Sequence, residues 1–317
     1  MLNEILLAKF ENEVSGKEVT FPAREKKALK RKYEKYFGDG KWRGSIFDLY
    51  LQFLEQQEEK GKAVEVPENS FDVYDLAALA YLYKRIKEND PVREASHVVI
   101  DEAQDFGMMA YQVLHYCLRD CTYTIMGDTS QNIHFSYGLN DWEELKKLIL
   151  TGTYDAFGVL RKSYRNTVEI ASYAANLIGV TDLELFERHG MPVLERDVTD
   201  LEAALREAVD TLFPEEKTYE TAAVIVPDEK TAERAYLILR EILAEKDFDC
   251  EKRLSWLNRD SSSFKKGLTV TTFYLAKGLE FDQVFSIFPK DEKREMMMQA
   301  QYIAATRALH ELRVYHI

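Results

Sequence analysis

His97-Val98-Val99-Ile100-Asp101-Glu102-Ala103-Gln104-Asp105 is the stretch on which the fold turns. Its first four residues are a short apolar run rich in β-branched side chains, the composition of a buried strand. The run passes without a break into two adjacent carboxylates. Strands covered on both faces belong to parallel sheets, and in such sheets ligands bind outside the carboxyl ends of the strands. Asp101 and Glu102 therefore stand where chemistry is expected, although two acids after a strand also fit an ordinary solvated loop.

Working outward, further short apolar runs repeat the pattern. Tyr123 to Met126, Ala156 to Leu160, Ala222 to Val226, Leu268 to Thr272, Val284 to Phe288 and Leu312 to Tyr315 read as buried strands. Helical periodicity fills several of the intervals, at Thr167 to Ile178, Leu201 to Leu212 and Thr231 to Ala244. Strands alternating with helices predict an α/β fold, a parallel sheet with helices on both faces. Residues 1–92 read instead as a helical arm. Leu2, Ile5, Leu6 and Phe10 share one helical face, Ile46, Leu49, Tyr50, Phe53 and Leu54 a second, and Leu76, Leu79, Ala80, Tyr83 and Ile86 a third. Asn89-Asp90-Pro91 ends the last helix.

The 317 residues carry a formal charge of -13. Such a chain buries about three quarters of its unfolded surface and needs no disulfides. Three cysteines, with Cys117 and Cys121 lacking a second Cys/His pair, read as reduced thiols rather than a disulfide framework or zinc site. No apolar run reaches the ~18 residues of a membrane span, and the first residues lack the basic and apolar regions of a signal peptide. The expectation is a soluble, cytoplasmic protein with no membrane partner. The acidic balance excludes a broadly basic nucleic-acid surface. Yet residues 22–43 hold nine Lys/Arg against three acids, which suits either a solvated amphipathic helix or a helix that contacts phosphate or a partner.

The strand-end polar groups recur. Tyr123-Thr124-Ile125-Met126 is followed by Gly127-Asp128-Thr129-Ser130-Gln131, where a glutamine amide can both donate to a phosphate oxygen and accept from water. Then come Lys162-Ser163-Tyr164-Arg165-Asn166-Thr167, Lys277-Gly278-Leu279-Glu280-Phe281-Asp282 and Tyr302-Ile303-Ala304-Ala305-Thr306-Arg307-Ala308. In order and spacing these motifs resemble those of superfamily 1 helicases of the UvrD/Rep type, most closely the HelD-like, helicase IV-like branch. The resemblance runs from about residue 96 to the C-terminus.

The resemblance implies RecA-like P-loop NTPase-type sheets, with residues 93–154 as an incomplete first domain and 155–317 as a second. It also implies a nucleotide site. Asp101 would be the Mg²⁺ ligand, Glu102 the general base for water and Gln131 the phosphate sensor. Arg165 and Arg307 would be arginine fingers, Tyr164 the adenine-stacking ring, Glu280 a carboxylate near the ribose and Gly278 a close backbone approach to the nucleotide. Thr272 and Tyr274 would face nucleic acid. ATP and Mg²⁺ are the implied cofactors, DNA the implied partner of the full-length protein, and RNA polymerase a further partner of HelD-like relatives.

Three features depart from the pattern. Tyr274 stands where the family has His, Gln299-Ala300 stands where it has Arg-Leu, and only about 105 residues separate Arg165 from Thr271, too few for the large insertion of UvrD/Rep enzymes. No Gly-x-x-x-x-Gly-Lys-Ser/Thr occurs, and Ser15-Gly16-Lys17-Glu18 lacks the upstream glycine and the hydroxyl. That loop would supply the backbone N–H groups and lysine that hold the phosphates. Its absence implies a truncated chain, an incomplete gene product or a degenerate relative, and a chain that is inactive alone. Two functions follow: the C-terminal portion of an ATP-dependent helicase or translocase, or a non-catalytic helicase-like module that binds a protein. A metal-dependent nuclease using Asp101 and Asp105 leaves Gln131, Arg165 and Arg307 without a role.

Overall fold

A computed structural model describes residues 44–317 except 69, 88–91, 93–94, 119–120, 134–137, 161, 182–183, 247, 260, 262–265 and 291–294. The first amphipathic stripe, the Ser15-Gly16-Lys17 turn, the basic stretch of residues 22–43 and the Asn89-Asp90-Pro91 stop lie outside the described residues. The chain divides into two compact units, Met1–Gly127 with Ser136–Ala156 and Asp128–Phe135 with Phe157–Ile317. Residues 128–135, placed in the first domain by the sequence, thus group with the second unit.

In the first unit, α1 (Ile46–Glu59) and α2 (Val73–Ile86) are both capped by their sequence. Ser45 accepts from the Asp48 N–H at 3.2 Å, and Asp72 and Asp75 form a capping box. The α1 stripe is as expected, with Leu49, Tyr50, Phe53 and Leu54 buried. The α2 stripe is rotated. Ala78, Leu79, Tyr81 and Leu82 are buried, whereas Leu76, Ala80 and Tyr83 are exposed. Almost every residue from Leu76 to Tyr83 is apolar, so periodicity alone cannot choose the face. Packing chooses it, along with the Tyr50 hydroxyl, which donates to Asp75 Oδ1 at 2.6 Å.

β1 (His97–Ile100) and β2 (Thr122–Ile125) pair in parallel, with His97 opposite Thr122 and Ile100 opposite Ile125. Between them runs α3 (Met108–Cys117), and α4 (Glu143–Ile149) follows. The expectation of strands buried on both faces is corrected here. Val98 and Ile100 pack with Tyr111 and Leu145, while Val99 is 61% exposed. Alternate side chains of a strand face opposite sides, and among the described residues only one side is covered. None of the three cysteines is in a disulfide.

The second unit holds the parallel sheet that the sequence predicts. β3 (Lys162–Ser163) and β4 (Glu184–Leu185) form a small pair, with α5 (Val168–Leu177) between them. Then follow β5 (Leu194–Asp197), α6 (Leu201–Asp210), β6 (Thr221–Val226), α7 (Glu229–Ala244), α8 (Cys250–Arg253), β7 (Leu254–Trp256), β8 (Gly267–Thr272), β9 (Phe281–Phe288), α9 (Glu295–Thr306) and β10 (Ala308–His316). These six strands lie in the order β5-β10-β9-β6-β8-β7, all parallel.

The period of two distributes each strand between two cores. Ala222, Val224 and Val226 pack with Leu205, Ala235 and Leu239 of α6 and α7. Ala223 and Ile225 pack with Ile170, Ala174, Ala300 and Ala304 of α5 and α9. Helices therefore cover both faces, and the strand interiors read as continuous apolar runs for that reason. Ala156 to Leu160 is not a strand. Phe157, Val159 and Leu160 are exposed, with Leu160 fully so. The run straddles the division between the units and gains neither a ladder partner nor a helix to bury it.

Candidate functional site

In the first unit, the turn after β1 is tightly clamped. Asp101 Oδ1 accepts from the Glu102 N–H at 2.8 Å, and Glu102 Oε2 accepts from Gln104 Nε2 at 2.5 Å. Gln104 is fully buried, and its carbonyl accepts from the Leu139 N–H. The Ala103 carbonyl accepts from the Tyr111 hydroxyl at 2.6 Å, and its N–H donates to Met126. Glu102 itself has φ 50° and ψ 41°, the left-handed region that costs a non-glycine residue energy and occurs at functional turns. A Cβ at Gly127 would lie 2.4 Å from Gln104 Oε1, so only glycine fits where β2 ends against this turn.

Among the described residues no three His, Cys, Asp or Glu side chains converge as a metal cage. An exposed strand-end carboxylate such as Asp101 is nonetheless the donor that Mg²⁺ takes when phosphate oxygens and waters complete its octahedron.

In the second unit, two pairs of the sequence-predicted residues meet. Asp128 caps the 3₁₀ turn Thr129–Gln131, accepting from the Ser130 N–H on Oδ1 and from Gln131 Nε2 on Oδ2, both at 2.9 Å. The other end of the Gln131 amide, Oε1, accepts from Arg307 Nη2 at 2.9 Å. Lys277 Nζ donates to the Gln131 carbonyl at 3.1 Å, and the Tyr302 hydroxyl donates to Asp128 Oδ2 at 3.1 Å. Burial raises the Tyr302 phenol well above its usual range, and the Asp128 carboxylate adds to the rise. Arg307 is 1% exposed and also donates from Nε to the Ile303 carbonyl and from Nη2 to Thr306 Oγ1. Its guanidinium is thus built into the unit, bonded to the glutamine that the motif pattern singles out.

The second pair lies on the surface. Arg165 Nε meets Glu280 Oε1 at 2.6 Å, both side chains being close to half exposed. The Arg165 backbone is fixed from both sides. Its carbonyl accepts from Arg188, which also donates to the Leu309 carbonyl at 2.8 Å. Asn166, buried, donates to the Thr306 and Ala308 carbonyls, and Thr167 caps α5. Tyr164 is 63% exposed.

The remaining positions divide. Gly278 has φ +80° with nothing within 4 Å of a Cβ, so among protein atoms it supplies backbone freedom rather than clearance. Thr272 is fully buried, and its hydroxyl accepts from the Leu275 N–H at 3.4 Å, which turns the chain after β8. Tyr274 donates to Glu229 Oε1 at 3.2 Å, and Arg259 pairs with the same oxygen at 3.0 Å.

Asp128, Lys277 and Tyr302 were not among the sequence candidates for the site. The signal for Asp128 is an acid two residues before a Ser-Gln turn, a capping pattern. Lys277 and Tyr302 stand first in two of the motifs quoted above, but local sequence does not pair them with partners 146 and 174 positions away.

No protein-family model matches the chain, and no curated protein matches it. Among solved structures, the C-terminal domain of a possible DNA helicase from Lactobacillus plantarum WCFS1 is similar at 23% identity, covering 49% of this chain and 88% of that one, with a TM-score of 0.37. The PRRSV helicase is similar at 14% identity over 85% of this chain and 45% of its own, with a TM-score of 0.38. An arterivirus nonstructural protein 10 helicase, solved with DNA, gives 13% identity over 84% and 51%, with a TM-score of 0.36. The chain thus spans about half the length of the two viral proteins.

Proposed function

We propose that this chain carries the C-terminal part of the machinery of an ATP-dependent superfamily 1 helicase or translocase, of the HelD-like kind. Its Gln131, Arg165, Glu280 and Arg307 would serve the nucleotide, and its Asp101 would be a Mg²⁺ ligand. The observation that carries the reading is the bonding of motif residues to one another: Gln131 with Arg307 at 2.9 Å and Arg165 with Glu280 at 2.6 Å. Residues 176 positions apart have no reason to meet through a solvated-surface reading of each motif. A glutamine amide fixed between a carboxylate and a guanidinium suits the relay from a phosphate to domain movement.

In this reading Glu102 activates water, Tyr164 stacks on the base, and nucleic acid is the substrate moved. RNA polymerase as a partner rests on the family resemblance alone. The test is ATP turnover, with and without single-stranded DNA, by the chain fused behind a P-loop segment. Turnover stimulated by DNA and abolished by Glu102→Gln is expected. Turnover indifferent to Glu102→Gln, Arg165→Ala and Arg307→Ala alike would overturn the assignment.

A second reading, a non-catalytic helicase-like module that binds a protein, is favoured by one observation. No Gly-x-x-x-x-Gly-Lys-Ser/Thr is present in the sequence, so these residues lack the loop that would hold the phosphates. Failure of the fused chain to turn over ATP at all would favour it.

A further inference from the structure

Two large rings stand exposed side by side in the second unit. Tyr164 is 63% and Phe186 44% exposed, with ring centroids 5.4 Å apart and planes inclined at 39°. The topology puts them together. β3 and β4 are parallel, Ser163 lies opposite Leu185, and the Phe186 N–H donates to the Ser163 carbonyl at 3.2 Å. Each ring therefore follows the last residue of one strand of the pair. The Lys162 ammonium lies 5.5 Å from the Tyr164 centroid and 5.8 Å from that of Phe186. Rings and cation form a nearly equilateral triangle, and cation–π attraction holds it.

Exposed apolar surface marks a binding site when it is contiguous rather than scattered, and adjoining rings offer flat faces to stack on. The neighbouring groups indicate what. Arg165, next in the chain, presents a guanidinium paired with Glu280, and its backbone is held by Arg188. A ligand with a flat apolar part and an anionic part would meet rings, ammonium and guanidinium within a few residues.

We infer that Phe186, with Lys162, completes a two-ring nucleobase platform, on which a purine of a nucleoside triphosphate stacks while its phosphates lie toward Arg165. This rests on the nucleotide reading proposed above and adds Phe186 and Lys162 as base-binding and ring-positioning residues. Phe186 buttresses Tyr164 and widens the apolar surface beyond one ring, so a purine gains more from it than a pyrimidine. Base stacking on an aromatic side chain contributes about 1–3 kcal/mol, which corresponds to roughly fivefold or more in affinity.

The test is ³¹P NMR titration of the 317-residue chain with ATP, CTP and inorganic tripolyphosphate, all with Mg²⁺, which reads millimolar affinities from the phosphorus signals that all three ligands carry. Phe186→Ala and Tyr164→Ala are compared with wild type, and circular dichroism confirms that each is folded. Expected are ATP binding weakened about fivefold or more by Phe186→Ala, a smaller loss for CTP, and no change for tripolyphosphate. Unchanged ATP affinity in Phe186→Ala, or equal losses for ATP and tripolyphosphate, overturns the platform. Tripolyphosphate binding that is sensitive to Arg165→Ala but gains nothing from a base would remove the platform and leave the nucleotide-phosphate reading standing. No binding of ATP by wild type would overturn the platform, and the nucleotide reading would then stand or fall with turnover by the chain fused behind a P-loop segment.

Discussion

Arg307 donates to the side-chain oxygen of Gln131 at 2.9 Å, closing a bond between residues 176 positions apart. Arg307 is buried, so its acceptors replace the water that its charge has lost, and loss of the side chain leaves Gln131 and the Ile303 carbonyl without that donor. Removing one partner of a buried, charged hydrogen-bond network is costly. Arg307→Ala should destabilise the chain by about 3 kcal/mol and Gln131→Ala by about 1 kcal/mol. The double variant should fall short of the sum by ~1 kcal/mol. Urea unfolding of the four proteins measures this, and strict additivity would show that the bond does not couple the two elements.

Arg165 makes the opposite case. Its pair with Glu280 is close to half exposed on both sides, and such pairs contribute only about 0–1 kcal/mol and weaken with salt. Arg165→Ala should leave the urea midpoint almost unmoved, and the Arg165–Glu280 coupling should vanish by about 1 M salt. A large stability loss would make Arg165 a structural residue. Stability retained together with lost triphosphate binding would mark it as a ligand group. The two arginines that sequence motifs treat alike are thus separable by a single unfolding series.

That contrast marks what was legible in the sequence. The six-stranded sheet's central strands were legible because both faces are covered and the code is an unbroken apolar run, as in Ala222–Val226. β5 was not, since all four of its residues are exposed at the sheet edge and carry three charges. Ala156–Leu160 had the strand code without the burial. At the site, motif spacing singled out Gln131 and Arg307 but not Tyr302 or Lys277, because long-range hydrogen bonds leave no periodic trace. The α2 face was misread because an apolar helix states that it is buried, not which way it turns.

The N-terminus of α5 supplies a pH prediction. Partial burial works to raise the Glu169 pKa, but hydrogen bonds from His189 Nδ1 at 3.0 Å and from the Gly190 N–H at 2.8 Å outweigh it. They bring the carboxyl from 4.5 down to about 2. A carboxylate with a depressed folded-state pKa stabilises the fold above its unfolded pKa and loses that contribution as pH falls through the folded one. Wild type should therefore lose stability faster than Glu169→Gln between pH 4.5 and pH 2. The difference between their unfolding free energies across that range is the measurement, and parallel curves would show that Glu169 is not held in its charged form.

Two glycines with positive φ separate conformational cost from steric cost. Gly278 has φ +80° and open space around a Cβ, so Gly278→Ala carries only the left-handed penalty of about 1–2 kcal/mol. Gly267, at the head of β8, has φ +122°, and a Cβ there would sit 2.1 Å from the Arg253 carbonyl oxygen and 2.8 Å from two further Arg253 backbone atoms. Backbone cannot move aside as a flexible side chain does. Arg253 leads directly into β7, whose Leu254 is paired with Leu268, so relief of the clash must pull β7 from the sheet edge. Gly267→Ala should cost about 3 kcal/mol or more. Amide exchange should then accelerate in Leu254–Trp256 ahead of the central strand Thr221–Val226, while Gly278→Ala leaves both protected. Equal effects of the two substitutions would mean that β7 is not anchored through this contact.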